Sequence, residues 1–121
     1  MLRIAVAIPC HRVTQHVLEV IRQIPPEVVC IYAVDDACPD HSGQWITQHC
    51  TDPRVKVLTH EKNQGVGGAV MTGYRQAISD GMDIVVKIDG DGQMNPALLP
   101  LFVRPIRAGI ALAAAGRLSS Y

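Results

Sequence analysis

Short apolar runs alternate with amphipathic stretches along the chain, and this alternation limits the folds open to it. Runs of strand length lie at 2–8, 28–34, 54–59 and 83–88, and a weaker one lies at 110–115. Helices are predicted at 14–24, 40–50 and 95–107, with another that starts from the loop 63–69 and reaches Ser79. Strands alternating with helices predict a three-layer α/β/α arrangement with a mostly parallel sheet.

Local signals set the expected ends of these elements. The first strand is expected to stop at Pro9, and Thr14 is expected to cap the first helix. Pro25 and Pro26 should end that helix. Asn95 followed by Pro96 should start the last helix, as a cap with proline in the first helical position.

Composition favours one globular domain over 1–121 and disfavours several functions. Lysine plus arginine equals aspartate plus glutamate at 11 each, so nothing suggests bulk attraction to nucleic acid. No apolar run approaches the ~20 residues of a membrane span, and no signal-peptide pattern is present. The four cysteines lack CxxC spacing, which disfavours zinc, so reduced thiols and a cytoplasmic location are expected.

Polar clusters follow three of the predicted strands. Pro9-Cys10-His11 follows the first strand, Asp35-Asp36 the second, and 89–93 the fourth. Ligands of open α/β sheets bind beyond the carboxyl ends of the strands. One pocket is therefore predicted to collect all three clusters.

The segment Asp89-Gly90-Asp91-Gly92-Gln93 has oxygen-bearing side chains at a period of two. In an extended backbone such side chains share a face, so two carboxylates and an amide oxygen converge. That donor set suits Mg²⁺ or Mn²⁺. The alternative is an ordinary turn after a strand.

Two further segments have both structural and functional interpretations. One carboxylate of Asp35-Asp36 is expected to cap the next helix, leaving the other for a ribose hydroxyl or a base N–H. The glycines of Gly65-Val66-Gly67 fit neither the dinucleotide fingerprint nor a P-loop. A tight loop against a closely packed helix start is the favoured interpretation.

Taken in order, these motifs resemble the family 2 glycosyltransferases of the GT-A fold. The first strand ends Ile8-Pro9, like the family's Val/Ile-Pro, and 34–40 is similar to its Val-Asp-Asp-Gly-Ser-x-Asp. The segment 63–69 resembles Asn-x-Gly-x-Gly-x-Ala, and 89–96 resembles Asp-x-Asp-x-Gln-x-x-Pro. The polyprenyl- or dolichyl-phosphate hexosyltransferases are the most similar branch.

The resemblance implies a site for a GDP- or UDP-linked sugar and a divalent cation. The cation would be held by Asp89, Asp91 and Gln93. The catalytic base is not identified, and the acceptor implied is a lipid phosphate. The residues implied to contact the nucleotide sugar are Pro9, His11, Val34 (through its backbone), Asp36, Asp89, Gly90, Asp91 and Arg117.

The chain departs from the family in ways that leave alternatives open. Ala37 and Cys38 replace glycine and serine, and family catalytic domains run about twice as long as 121 residues. A donor-binding domain without its acceptor half is expected, one that self-associates and is peripheral to a membrane through its acceptor. The alternatives are a non-catalytic nucleotide-sugar-binding module and a plain flavodoxin- or receiver-like scaffold.

Overall fold

A computed structural model describes residues 2–89 as strands and helices in strict alternation. The elements are β1 Ile4–Cys10, α1 Val17–Arg22, β2 Val28–Asp35, α2 Ser42–His49, β3 Val55–Thr59, α3 Gly65–Ser79 and β4 Ile84–Lys87. The predicted α/β class is confirmed. The helix expected at 95–107 and the strand expected at 110–115 lie outside the described residues.

The strands form one parallel sheet in the order β3-β2-β1-β4. The chain moves outward from β1 through β2 to β3, and α3 then returns it to β4 on the other side of β1. The strand order therefore reverses between β1 and β4. In doubly wound sheets this reversal marks the crevice in which ligands bind.

Side chains of β1 alternate between two apolar layers, as a buried parallel strand requires. Ile4, Val6 and Ile8 face a cluster that includes Val17 of α1 and Ile46 of α2. On the opposite face, Ala5 packs with Tyr32 of β2 and Ala77 of α3. The described residues thus form the predicted three layers, with helices on both faces of the sheet.

The first strand runs further than expected, through Pro9 to Cys10. The backbone oxygen of Ala7 accepts from Ile88 N, so the backbone of Pro9, two residues on, faces the same side. Because β4 ends at Lys87, no ladder bond there requires a donor from Pro9. The expected stop at Pro9 was therefore wrong.

The first helix begins later than expected, and Thr14 does not cap it. It starts at Val17 after His16, which makes no side-chain capping bond. The amides of His16 and Val17 both donate to the Val13 carbonyl, so a backbone turn replaces a side-chain cap.

None of the described helices combines the length and apolar character that a membrane crossing needs.

The third helix packs closely against the sheet at a glycine. A Cβ on Gly73 would come within 2.9 Å of the Ala7 Cβ and 3.6 Å of Val34 Cγ2. By contrast, a Cβ on Gly67 of the same helix would have nothing within 4 Å. The closeness of α3 to β1 thus depends on the missing side chain at Gly73.

We expect Gly73→Ala to lower the free energy of unfolding by about 1–3 kcal/mol, the usual result of overpacking. Gly67→Ala is the matched control. It should leave stability unchanged or raise it by up to about 1 kcal/mol, the gain of alanine over glycine in a helix. Urea unfolding followed by circular dichroism measures both. Equal stability of the two variants would contradict the close packing of α3.

Candidate functional site

A cleft of about 160 Å³ opens at the carboxyl edge of the sheet. Its described lining residues are Pro9, Cys10, His11, Val13, Asp36, Val66, Ala69 and Asp89. They come from the ends of β1, β2 and β4 and from the start of α3. Small-molecule pockets usually measure roughly 300–1,000 Å³. The described residues therefore enclose only part of a site for a ligand as large as a nucleotide sugar.

Four of the predicted site residues meet in this cleft: Pro9, His11, Asp36 and Asp89. His11 is exposed. Val34 is fully buried on the α3 side of the sheet near Gly73, and it is not among the residues lining the cleft. The other predicted residues, Gly90, Asp91, Gln93 and Arg117, lie outside the described residues.

The side chain of Asp35 has a structural role. It is buried, and its two carboxylate oxygens accept from Cys38 N at 2.8 Å and Gly43 N at 2.9 Å. Gly43 lies in the first turn of α2, where amides lack helical partners. Asp35 is therefore the capping carboxylate expected of this pair, and it acts from the preceding strand.

Asp36 faces the cleft and is 4% exposed. Its Oδ1 accepts from His60 Nδ1 at 2.8 Å and from Gln64 N at 2.7 Å. Its backbone oxygen accepts from the side chain of Asn63 at 3.1 Å. The loop after β3 thus holds both the side chain and the main chain of Asp36.

These contacts keep Asp36 ionised despite its burial. Burial acts to raise the pKa of Asp36, but hydrogen bonds from His60 and from the amides of Gln64 and Gly65, with the charge of His60, outweigh it and lower that pKa below its ordinary value of 3.8. Because the pKa of Asp36 is lower in the folded state, its ionisation stabilises the fold at every pH above its unfolded-state pKa. This contribution is lost as the pH falls through its folded-state pKa.

The role of His60 was not predicted from the sequence. The residue follows β3 directly, and its side chain bonds Asp36 at one nitrogen and Thr72 of α3 at the other. The signal was its place at the carboxyl end of a parallel strand. The side chain of Asn63 holds the same loop by bonding Asp36 O and Gly65 N.

Asp89 follows β4 at the rim of the cleft, with its side chain 41% exposed. Lys87 Nζ lies 3.4 Å from its Oδ1. An accessible carboxylate at this position fits one ligand of a divalent cation. Residues 2–89 contain no group of three His, Cys, Asp or Glu side chains arranged to hold a metal. The other predicted ligands, Asp91 and Gln93, lie outside the described residues.

The chain belongs to glycosyl transferase family 2. The model of that family matches residues 6–121, nearly the whole sequence. The match agrees with the resemblance of the motifs and with the position of the cleft at the reversal of strand order.

Two curated relatives act on lipid phosphates according to their names. An undecaprenyl-phosphate mannosyltransferase of Micrococcus luteus is 38% identical over 78 residues, 64% of this chain and 32% of the relative. A dolichol-phosphate mannosyltransferase of Pyrococcus furiosus is 30% identical over 87 residues, 72% of this chain and 24% of the relative. The matches thus span no more than a third of these relatives.

Solved glycosyltransferases share the fold. The structure of S. aureus TarS 1–349 with UDP has a TM-score of 0.67 at 21% identity. The match covers 84% of this chain and 32% of the TarS chain. Glucosyl-3-phosphoglycerate synthase from Mycobacterium tuberculosis, with Mn²⁺ and UDP, has a TM-score of 0.66 at 23% identity. The match covers 86% of this chain and 39% of the synthase chain. This family 2 chain therefore has the GT-A fold.

The loop after Asp36 carries the departures from the family 2 motif. Ala37 has φ 54°, a left-handed conformation that suits the family's glycine at that position better. Cys38 replaces the serine, and its Sγ accepts from Arg12 N at 3.0 Å and lies 3.1 Å from Ser42 Oγ. A serine oxygen would accept the same bonds, so Cys38 holds this loop to the one after β1.

Three of the cysteines, Cys10, Cys30 and Cys38, are buried. Burial, with smaller effects from Asp35 and Cys38, raises the pKa of Cys10 to about 12. Burial also opposes ionisation of Cys38, but bonds from Ser42 and from nearby backbone amides lower its pKa. Cys30 is buried in the apolar layer beneath α3.

We expect Asp35→Asn to lower the free energy of unfolding by about 1.5–3 kcal/mol, because an amide can accept only one of the two buried N–H bonds. Asp40→Asn, at an exposed carboxylate in the same loop, is the matched control and should change stability by less than about 0.5 kcal/mol. Denaturant unfolding measures both. An equal effect of the two substitutions would show that Asp35 does not cap α2.

Proposed function

We propose that this chain is the nucleotide-sugar-binding part of a glycosyltransferase that uses Mg²⁺ or Mn²⁺ and passes a sugar from a GDP- or UDP-linked donor to a lipid phosphate. The observation that carries the proposal is the meeting of Pro9, His11, Asp36 and Asp89 in one cleft. These residues lie at the carboxyl ends of three different strands, and the cleft lies where ligands of doubly wound sheets bind.

Asp36 is the nucleoside end of the proposed site. An ionised carboxylate only accepts hydrogen bonds, so Asp36 suits a ribose hydroxyl or a base that presents an N–H. Uracil and guanine both present one, which agrees with a UDP- or GDP-linked donor. Pro9 and His11 supply the neighbouring wall.

Asp89 is the diphosphate end. With Asp91 and Gln93 it would hold the cation, which supplies positive charge to the departing nucleoside diphosphate. Lys87 lies beside Asp89 and adds a fixed positive charge at this end of the cleft. A nucleoside diphosphate would thus extend from the Asp36 end to the Asp89 end.

The lipid-phosphate acceptor is inferred from the names of the relatives, which transfer sugars to undecaprenyl or dolichol phosphate. No described residue is assigned as the catalytic base. Placement of the acceptor supplies a large part of the rate of such reactions. Self-association, a cytoplasmic location and contact with a membrane through the acceptor stay predictions.

The proposed function is tested by binding. Asp36→Ala should weaken the binding of UDP or GDP in Mn²⁺ buffer by about 1.5–3 kcal/mol, because it removes a charged hydrogen-bond acceptor. Isothermal titration calorimetry measures the loss. Asp40→Ala, which removes a carboxylate outside the cleft, is the control and should bind as wild type does. Equal affinity of the two variants would remove Asp36 from the site.

The cation is tested separately. We expect Mn²⁺ to bind weakly alone and better with a nucleoside diphosphate, since it would share oxygens from both. Asp89→Asn should reduce this synergy by at least about tenfold, because even the loss of a residue that only supports a metal ligand commonly costs that much. Calorimetric titration of Mn²⁺ with and without UDP gives the result, with Asp40→Asn as control. Undiminished synergy in Asp89→Asn would place the cation elsewhere.

A further inference from the structure

A buried chain of hydrogen bonds joins the cleft to α3. Asp36 Oδ1 lies 2.8 Å from His60 Nδ1, and His60 Nε2 lies 2.7 Å from Thr72 Oγ1. Thr72 Oγ1 also lies 3.1 Å from the Gly68 carbonyl oxygen. Gly68 lies in the first turn of α3, between Val66 and Ala69, which line the cleft.

An ionised carboxylate only accepts, so His60 Nδ1 donates to Asp36. The single hydroxyl hydrogen of Thr72 can point to His60 Nε2 or to the Gly68 carbonyl, and both lie within hydrogen-bond distance. In either arrangement the ring is held at both nitrogens and presents Nδ1–H to Asp36.

The placement of this histidine is selective. The side chains of His60 and Asp36 are only 7% and 5% exposed. Asp35 is buried to a similar degree, yet backbone amides alone hold its two oxygens. Burial of a carboxylate in this loop thus does not require a histidine partner. The histidine bonds the carboxylate that lines the cleft.

We propose that His60 is a positioning residue of the nucleoside pocket, which fixes the Asp36 carboxylate toward the ligand and couples it through Thr72 to the first turn of α3. The inference rests on the proposed function. The ring occupies Oδ1 together with the Gln64 amide and so sets the direction of the carboxylate.

This role predicts that a change at His60 affects nucleotide binding but not pyrophosphate binding. Nucleoside recognition depends on Asp36, whereas pyrophosphate with Mn²⁺ would engage only the Asp89 end of the cleft. Loss of the His60 ring should therefore weaken the binding of UDP or GDP and leave that of pyrophosphate unchanged. A merely structural histidine would affect both ligands or neither.

The test uses the full chain and the variants His60→Gln, Thr72→Val and His16→Gln, the last an exposed histidine outside the cleft. Calorimetry in Mn²⁺ buffer with UDP, GDP and pyrophosphate should show that His60→Gln loses about tenfold to a hundredfold in nucleotide affinity, the range for a hydrogen bond to a charged group. Pyrophosphate binding should match wild type. Thr72→Val should show a smaller loss in the same direction, and His16→Gln none.

Nitrogen-15 NMR of the wild-type imidazole ring is the second measurement, and it does not depend on the folding of any variant. A hydrogen on His60 Nδ1 at neutral pH is expected, and an Nδ1 without hydrogen would overturn the proposal. So would wild-type nucleotide affinity in His60→Gln, or an equal loss of nucleotide and pyrophosphate. Failure of the wild-type chain to bind any nucleotide is a separate result, which would overturn the proposed function together with this role.

Discussion

The pairing of β1 with β2 on one side and β4 on the other determines where His11, Asp36 and Asp89 lie. All three strands are parallel, so their carboxyl ends meet at one edge. Pro9 is in register with Val34, and Ala7 with Lys87. The residues that follow these positions, His11, Asp36 and Asp89, therefore reach one cleft although they are far apart in sequence.

The adjacent carboxylates of Asp35 and Asp36 have different roles at this edge of the sheet. Side chains of neighbouring residues in a strand point to opposite sides. Asp35 turns toward α2 and holds the amide of Gly43, where a side chain would also collide: a Cβ on Gly43 would lie 2.9 Å from the Asp35 Cβ. Asp36 turns toward the cleft. One residue secures the layer beneath the sheet edge while the next remains available to a ligand.

Much of the fold was predictable because periodicity reports burial directly. The sequence also predicted that Pro9, Asp36 and Asp89 would meet, since parallel strands bring their ends together whatever the loops do. It did not predict the end of β1 or the start of α1, because these depend on which backbone groups have partners in neighbouring elements. His60 was missed for the same reason. Its role exists only when α3 returns across the sheet and brings Thr72 to the second ring nitrogen.

The contrast between the two carboxylates explains why the loop after β3 matters to the cleft. A buried carboxylate held by two amides, as Asp35 is, has both oxygens engaged and none directed to a ligand. At Asp36, the His60 ring and the Gln64 amide both bond Oδ1. A buried polar group is costly unless its hydrogen bonds are made, and Thr72 bonds the second ring nitrogen of His60. The arrangement keeps an ionised carboxylate in the wall of the cleft.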